Sequence, residues 1–181
     1  PRKGFEQLDS LGGFNLITDE IPYEDNSIDM IYMSHIIEHI PLYSVPKVLN
    51  SINKKLKPGG LARILCPDLE KIIEAYVNKD FAAFNSGKNH WRTIHPLNSK
   101  LGIGGYLMNQ ILSTPVYATT ADIDLYAADQ KIVSYAHISA YDYEMLQGLL
   151  KLSGFKRVMR TPLTRIDTHQ QEGQLIVNAW K

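Results

Sequence analysis

The sequence of 181 residues lacks several features that would assign it to a special class of protein. It has one cysteine, Cys66, so an intramolecular disulfide framework is excluded. Lys and Arg together number 19, as do Asp and Glu, and this balance leaves no long-range field that would attract nucleic acid or an acidic membrane. No apolar run approaches the ~18 residues that a membrane-spanning helix needs. We therefore predict a cytoplasmic protein that binds neither nucleic acid nor membranes.

What the sequence does contain is the composition of one ordinary globular domain. Hydrophobic residues make up 44% of the chain and charged residues 21%. A chain of this size buries roughly 70% of its extended surface when it folds, so a full core needs neither disulfides nor a structural metal. We predict a single domain over residues 1–181.

Hydrophobic patterning divides the first half of the sequence into alternating strands and helices. Residues 15–18, 28–33 and 61–66 are predicted strands, and the second should be central because its apolar character is nearly continuous. Between the second and third strands, the spacing of apolar residues predicts a helix that Ser44 caps and that Pro58-Gly59-Gly60 ends. This order is typical of an α/β fold with a Rossmann-like, doubly wound and mostly parallel sheet, which leaves the carboxyl ends of its strands free for ligands.

The second half begins with a further helix and a long irregular segment. Asp68 is predicted to cap the helix, whose apolar stripe consists of Leu69, Ile72, Ile73, Tyr76 and Val77. Residues 79–138 form a predicted insertion, with a loop at 79–103 and helices near 105–113 and 121–136. An insertion of this length indicates a lid or an acceptor-binding wall.

The last part of the sequence is predicted to form a helix and two strands. Residues 139–142 have the pattern of a capping box that opens the helix, and Gly154 closes it. Residues 155–159 and Gln174–Trp180 are the predicted strands. Because no helical pattern connects them, we expect an antiparallel C-terminal hairpin at the edge of the sheet.

Four segments of the sequence resemble the class I S-adenosylmethionine-dependent methyltransferases, in particular the small predicted methyltransferases related to the type 11 group. They are DEIPYEDNSID at 19–29, SHIIEHI at 34–40, LKPGG at 56–60 and the pair Gly154-Phe155. Each segment is short, and it is their order and spacing that make the resemblance specific. The family has a parallel sheet that ends in an antiparallel hairpin, and the resemblance implies S-adenosylmethionine as the cofactor.

The resemblance also implies which residues hold the cofactor. Asp9 lies where the family has the carboxylate that accepts both ribose hydroxyls, and Glu6 is the nearby alternative. The adenine edge is contacted in the family at the positions of Asp19, Glu20 and Ile21. Ser34 lies where the family's backbone holds the methionine part of the cofactor. The alternative interpretation of 19–21 is a solvated loop that its own acids cap.

One part of the family pattern is missing. A glycine-rich loop, in which backbone N–H groups approach the cofactor, should precede Asp9, but Gly12-Gly13 follows it instead. The sequence also starts without Met, and residues 5–9 have the pattern of the end of a strand. We therefore predict an N-terminally truncated class I methyltransferase fold, with roughly 15 to 30 residues of the native domain upstream of Pro1.

The cluster His35-Ile36-Ile37-Glu38-His39 allows three interpretations. It matches the zinc-hydrolase motif H-x-x-E-H, but Pro41 follows within two residues, whereas that motif needs a long helix. It also resembles the Glu-x-x-Glu-His segment with which small-RNA 2′-O-methyltransferases and ubiquinone-pathway O-methyltransferases bind a divalent cation. Because His35 replaces the first Glu, such a site would suit magnesium poorly, although zinc or manganese would still fit, and we predict no metal.

The third interpretation is acid–base catalysis. A hydroxyl or amine acceptor must lose a proton when it takes a methyl group, and histidine is the usual residue that accepts one near neutral pH. We predict His35 as this base, with Glu38 or His39 as its orienting partner. The alternative is that His39 only packs and hydrogen-bonds. Three histidines in or beside the insertion could line the acceptor pocket: His90, His95 and His137.

The predicted function is S-adenosylmethionine-dependent methyl transfer by in-line displacement to an oxygen or nitrogen of a small-molecule or glycan-like acceptor. The acceptor class follows by elimination, because the balanced charge argues against nucleic acid. The alternative from a different class is a non-catalytic methyltransferase-like binding module. The sequence carries no prediction of the oligomeric state.

Overall fold

The structure is a computed structural model that describes residues 14–85, 99–112, 137–167 and 173–181. Asp9, Gly12-Gly13, His90, His95 and the helix predicted at 121–136 lie outside these residues. Four strands are described: β1 (Ile28–Ser34), β2 (Leu56–Pro67), β3 (Arg157–Arg160) and β4 (Gln174–Trp180). The described helices are α1 (Val45–Lys55), α2 (Leu69–Val77), α3 (Phe81–Asn85), α4 (Gly102–Leu112) and α5 (Tyr143–Leu152).

The described strands form one mixed sheet in the order β1-β2-β4-β3. β1 runs parallel to β2, from the pair Ile28 and Leu56 to the pair Ser34 and Leu65. β4 lies antiparallel to both β2 and β3. The predicted α/β class and the antiparallel C-terminal pair of strands are therefore confirmed, and α1 is the crossover between the two parallel strands.

β1 lies at an edge of the described sheet, although its sequence predicts a central strand. Residues 15–18, for which the sequence predicts a strand, form a turn. The amides of Thr18 and Asp19 donate to the Asn15 carbonyl at 3.1 and 2.8 Å, and Asn15 Oδ1 accepts from the Ile17 amide at 2.9 Å. Such bonds to an asparagine side chain offer the backbone an alternative to strand pairing, and the strand predicted at 15–18 was wrong for this reason.

The junction between α1 and β2 is tighter than predicted. β2 begins at Leu56, directly after α1, instead of at residue 61. Pro58-Gly59-Gly60 therefore lies within the strand, where Gly59 has a φ of 78°. A Cβ on Gly60 would lie 2.9 Å from the Lys57 carbonyl oxygen and 3.2 Å from that of Asp29. Only glycine allows the backbones of β1 and β2 to approach this closely here.

We expect Gly60→Ala to destabilise the protein by about 1–3 kcal/mol, because the carbonyls that the new methyl group meets belong to the backbone and move only with a strand. Gly148→Ala is the matched control. It lies inside α5 with nothing within 4 Å of the added Cβ, so it should raise the free energy of unfolding by about 0.5–1 kcal/mol. Urea unfolding measures both changes, and effects of equal sign would contradict this explanation of the tight junction.

α2 buries a different face from the predicted one. Ile72 and Ala75 are buried and pack near Phe84 of α3 and Tyr106 of α4. Three residues of the predicted stripe are instead at least 39% exposed: Ile73, Tyr76 and Val77. The reason is that the partner of this helix is the pair α3 and α4, not the sheet alone.

The insertion therefore contains more helix at its start than the sequence predicts. α3 lies within the segment 79–103, for which the sequence predicts a loop, and α4 begins at Gly102 and not at residue 105. The helix predicted near 105–113 is confirmed by α4.

The predicted helix caps are only partly correct. Ser44 and Asp68 occupy the N-cap positions of α1 and α2, but neither side chain makes a capping hydrogen bond. Asp142 caps α5 by accepting from a backbone amide at 2.8 Å. The capping box predicted at 139–142 is wrong, because Ser139 donates its hydroxyl to the Ile40 carbonyl. That bond ties the segment before α5 to the segment after β1.

A buried ion pair joins β2 to the segment after β3. The Arg63 side chain is 2% exposed and that of Asp167 0%, and the guanidinium donates to both carboxylate oxygens at 2.7 and 2.6 Å. Three more bonds go to the Thr161 hydroxyl, the Asn178 side chain and the Pro162 carbonyl, so every N–H of the guanidinium has an acceptor. Burial alone would raise the pKa of Asp167, but its hydrogen bonds, chiefly from Arg63, lower that pKa below the usual range.

The main core lies between the sheet and helices α1 and α5. Its fully buried members include Leu49, Ile52, Ile64, Tyr141, Leu146 and Leu150. A smaller cluster joins α2 to α3 and α4. Within the described ranges, no helix is both long enough and apolar enough to cross a membrane.

Candidate active site

Three of the polar residues that the sequence singled out, Ser34, His35 and Glu38, lie at or just after the end of β1. β1 ends at Ser34, which pairs with Leu65 close to the end of β2. β4 runs the other way, so its first residue, Gln174, lies opposite Pro67 at the same edge. We call this side of the sheet, where the carboxyl ends of β1 and β2 lie, the carboxyl edge. α/β folds bind their ligands on this side.

His35 lies directly after β1 at this edge. Its backbone adopts a φ of 54°, a left-handed conformation that is uncommon for any residue with a side chain. Its amide donates to the Leu65 carbonyl at 2.9 Å, which holds the residue against the end of β2. Strained conformations of this kind are frequent at functional sites, and this one aims the imidazole across the edge of the sheet.

The His35 ring bridges two polar side chains. Nδ1 lies 2.9 Å from Glu38 Oε1, and Nε2 lies 3.0 Å from the Gln174 amide nitrogen. Because an amide nitrogen only donates, we assign the lone pair to Nε2 and the ring proton to Nδ1, which donates it to Glu38. The nitrogen that can accept a proton therefore faces Gln174.

Glu38 lies in a 3₁₀ turn, Ile37–His39, and its side chain is 1% exposed. Its backbone carbonyl accepts from the amides of Ile138 and Ser139 at 2.9 and 3.1 Å, so the end of the insertion is anchored at this turn. His137 Nε2 lies 4.0 Å from Glu38 Oε1, and the His137 and His39 rings meet edge to face at 5.0 Å between centroids. The structure thus brings His35, Glu38 and His39 together and adds His137.

The zinc-hydrolase interpretation fails on the geometry of this segment. The turn contains three residues, and His35 precedes it with a left-handed backbone. His35 and His39 therefore do not lie one above the other on a helix, as the two ligands of that motif must.

The predicted adenine-contacting segment runs beside α1. Lys47 in the first turn of α1 donates to the Ile17 carbonyl at 2.9 Å, and Lys55 at its end binds Glu20 at 2.9 Å. The Asp19 carboxylate closes the local turn by accepting from the Asn15 amide at 2.7 Å. This bond lowers the pKa of Asp19, and the hydrogen bond from Lys55 lowers the pKa of Glu20.

The Glu20 side chain is paired with the last residue of α1. Glu20 binds Lys55, which directly precedes β2, whereas Ser34 ends β1 at the opposite edge. Ile21 is 2% exposed and belongs to the main core, so its side chain is not available to a ligand.

A cavity of about 600 Å³ opens at the carboxyl edge beside Gln174. Charged groups of both signs line it: Lys71, Glu74, Asp80 and Arg160. Arg160 also donates to the buried carboxylate of Asp68. Burial raises the pKa of Asp68, and the positive charge of Arg160 offsets part of that rise. The sequence did not identify Gln174, although a glutamine that opens an otherwise apolar strand was the available signal.

Cys66 is fully buried next to this edge. Burial raises the pKa of its thiol well above the usual value, and the charges of Glu38 and Asp68 raise it further. The thiolate is the reactive form, so Cys66 serves as packing and not as a nucleophile.

Comparison with known proteins supplies the family. A family profile described as a methyltransferase domain matches residues 7–159. Among solved structures, the S-adenosylmethionine-dependent methyltransferase SibL in its apo form is 14% identical with a TM-score of 0.50, and the match covers 93% of this chain and 34% of that one. An S-adenosylmethionine-dependent methyltransferase from Mesorhizobium loti is 15% identical with a TM-score of 0.45, with 93% and 68% covered. Another from Archaeoglobus fulgidus is 13% identical with a TM-score of 0.41, with 88% and 62% covered.

The extent of these matches decides what they establish. No curated protein matches the chain. The chain spans about a third of the length of the first solved structures it matches, and at such low identity the likeness to SibL shows the fold. The family profile covers most of the chain and agrees with the four segments of sequence resemblance. The chain therefore belongs to the methyltransferase domain family, with the class I fold whose methyl donor is S-adenosylmethionine.

Proposed function

We propose that the protein transfers a methyl group from S-adenosylmethionine to an oxygen or nitrogen of a small-molecule or glycan-like acceptor. The observation that carries this proposal is the Glu38–His35–Gln174 chain of hydrogen bonds at the carboxyl edge of a methyltransferase fold. The acceptor atom attacks the methyl carbon as the bond to sulfur breaks. Its proton passes to His35 Nε2, and S-adenosylhomocysteine leaves.

The catalytic roles follow from the hydrogen bonds. Glu38 orients the ring and stabilises the imidazolium that forms, because Nδ1 already donates to its buried carboxylate. An acceptor that approaches Nε2 displaces the Gln174 amide, whose side chain also borders the large cavity. His39, which packs on His137, is a positioning residue in this scheme.

The cofactor is proposed to lie along the carboxyl edge beside Ser34, with Asp9 as the ribose acid. Asp19 and the backbone of Ile21 would face the adenine. Glu20 is better assigned to hold its loop, because its carboxylate is already paired with Lys55.

The cavity beside Gln174 is the proposed acceptor pocket. Its volume of about 600 Å³ lies within the range of small-molecule sites. The lining carries positive and negative side chains, and Arg160 is already paired with Asp68 and Glu70. This balance favours a polar acceptor without strong net charge over a nucleic acid.

S-Adenosylmethionine binding tests the proposal on the full-length protein. At a ligand concentration of 100 times Kd, we expect a stabilisation of about 2.7 kcal/mol, which raises Tm by roughly 5–10 °C for a protein of this size. Asp9→Ala should weaken affinity about 10- to 100-fold. Asp29→Ala, which removes an exposed carboxylate of β1, should leave the affinity unchanged.

Two outcomes separate the proposal from its alternatives. No shift of Tm with either S-adenosylmethionine or S-adenosylhomocysteine at millimolar concentration would overturn it. Binding without release of S-adenosylhomocysteine, over a panel of hydroxyl and amine acceptors, would favour the non-catalytic binding module. One observation favours this second candidate: the Gln174 amide contacts His35 Nε2, the nitrogen that would have to take the acceptor proton.

A further inference from the structure

The buried carboxylate of Glu38 has one oxygen that the proposed catalysis does not use. Oε1 accepts from His35, but Oε2 has no hydrogen-bond partner among the described residues. The side chain is 1% exposed, so bulk water does not satisfy this oxygen. Buried carboxylate oxygens rarely lack a partner in folded proteins, and one that has no protein donor commonly contacts a bound ion or an ordered water molecule.

Two imidazoles face the same carboxylate from different parts of the chain. His39 follows Glu38 in the 3₁₀ turn, and His137 arrives with the segment that ends the insertion. One ligand atom from each of Glu38, His39 and His137 lies within 4.8 Å of the other two. A cavity of about 10 Å³ touches both Glu38 and His137, and this is the room that a single water molecule or ion needs.

We propose that Glu38, His39 and His137 bind a divalent cation of the zinc, cobalt or manganese type. Two imidazoles and one carboxylate form a donor set that suits these ions better than magnesium, which prefers oxygen ligands. The proposal revises the sequence expectation of no metal, because the third ligand, His137, lies far along the chain and could not be assigned by spacing.

The distances fit such a site after a modest contraction. Metal–ligand bonds of about 2.1 Å place tetrahedral ligands about 3.4 Å apart. His137 Nε2 and Glu38 Oε1 are 4.0 Å apart, and the widest separation in the cluster is below 4.8 Å. His39 is only partly buried, so rotation of its ring can close the remaining gap.

His35 is placed outside the metal's own ligands. It donates to the Glu38 carboxylate and so orients it, which is the usual role of an outer hydrogen-bond donor at a metal site. The Glu38 carboxylate would therefore bind the cation and also accept the hydrogen bond from His35, the base in the proposed methyl transfer.

Metal titration of the chelator-treated, full-length protein tests the proposal, with the free ions as probes and no S-adenosylmethionine present. We expect Co²⁺ to bind at a single saturable site with a visible d–d absorption band, and Zn²⁺ to displace it. His137→Asn, His39→Asn and Glu38→Gln should each weaken binding by about 100-fold or more, since loss of an outer partner already costs 10- to 100-fold. His35→Asn, which removes only an outer partner of Glu38, should weaken it less, by about 10- to 100-fold. Asp29→Asn, a matched carboxylate control on the surface, should have no effect.

The outcomes separate this proposal from the proposed methyl transfer. Unchanged Co²⁺ affinity in both His137→Asn and His39→Asn would overturn the metal site, as would loss of binding in His35→Asn alone. The Tm of each variant without metal shows whether it folds, and His39→Asn, the more exposed of the two, serves if His137→Asn does not. S-Adenosylmethionine binding without metal binding would remove the metal site only, whereas the reverse result would remove the proposed function only.

Discussion

Replacement of His35 by asparagine should lower kcat about 100- to 10,000-fold, which is the contribution of a positioned general base. Asparagine is the informative substitution because it tolerates the left-handed backbone that His35 adopts, with a φ of 54°. It cannot take the acceptor proton. The affinity for S-adenosylmethionine should stay within about twofold, because the base acts on the acceptor only. Release of S-adenosylhomocysteine and calorimetric binding measure the two quantities.

Comparison with His35→Ala separates catalysis from backbone strain. Alanine also removes the base but does not tolerate the left-handed conformation as well, so it should lower Tm more than asparagine does. Equal losses of kcat in the two variants with unequal losses of Tm would support the role of a base. If both variants lose S-adenosylmethionine affinity in parallel with kcat, His35 belongs to the cofactor pocket instead.

Arg63→Met should lower the free energy of unfolding by about 3–5 kcal/mol, the largest change in stability that we expect of a single substitution here. The methionine leaves the Asp167 carboxylate, which is 0% exposed, without its bidentate partner. The double variant Arg63→Met/Asp167→Leu should recover much of the loss, because neither charge then remains buried. Asp29→Ala breaks the exposed Lys57 pair and should cost less than about 1 kcal/mol. Urea unfolding measures all three.

The pH dependence of this ion pair has a definite sign. The pKa of Asp167 is lower in the folded state than its ordinary value of 3.8. The unfolded chain therefore takes up the proton first as pH falls, and the stabilisation is complete above about pH 4 and is lost as pH falls further through the folded pKa. The stability difference between wild type and Asp167→Asn should shrink in that range. A difference that stays constant down to about pH 2 would contradict this assignment.

The sequence predicted those parts of the fold that depend on local pattern. β1 and β4 are apolar runs, and α1 and α5 have apolar residues at helical spacing, so these elements were found where expected. Residues 15–18 form a comparable run, but the side chain of Asn15 directs the backbone into a turn. Hydropathy does not register that competition. The exposed stripe of α2 has a related cause, because its partners α3 and α4 come from a segment without clear periodicity.

The residues of the candidate site also differ in whether the sequence could predict their contacts. His35 and Glu38 are three residues apart, and their hydrogen bond was within reach of sequence reasoning. Gln174 is 139 residues from His35, and His137 comes from the far end of the insertion. Only the strand order and the anchoring of that insertion at the Glu38 carbonyl bring these two residues to the site. Long-range contacts of this kind cannot be read from spacing.

The strand order also determines when the domain can fold during synthesis. β4 is the last of the four strands to leave the ribosome, yet it lies between β2 and β3. Until it emerges, both of its neighbours have an unpaired edge. Arg63 on β2 also lacks its partner until Asp167, 104 residues further along the chain, has been synthesised. Unpaired edges favour aggregation. A nascent or prematurely terminated chain that lacks Gln174–Trp180 is therefore expected to depend on chaperones.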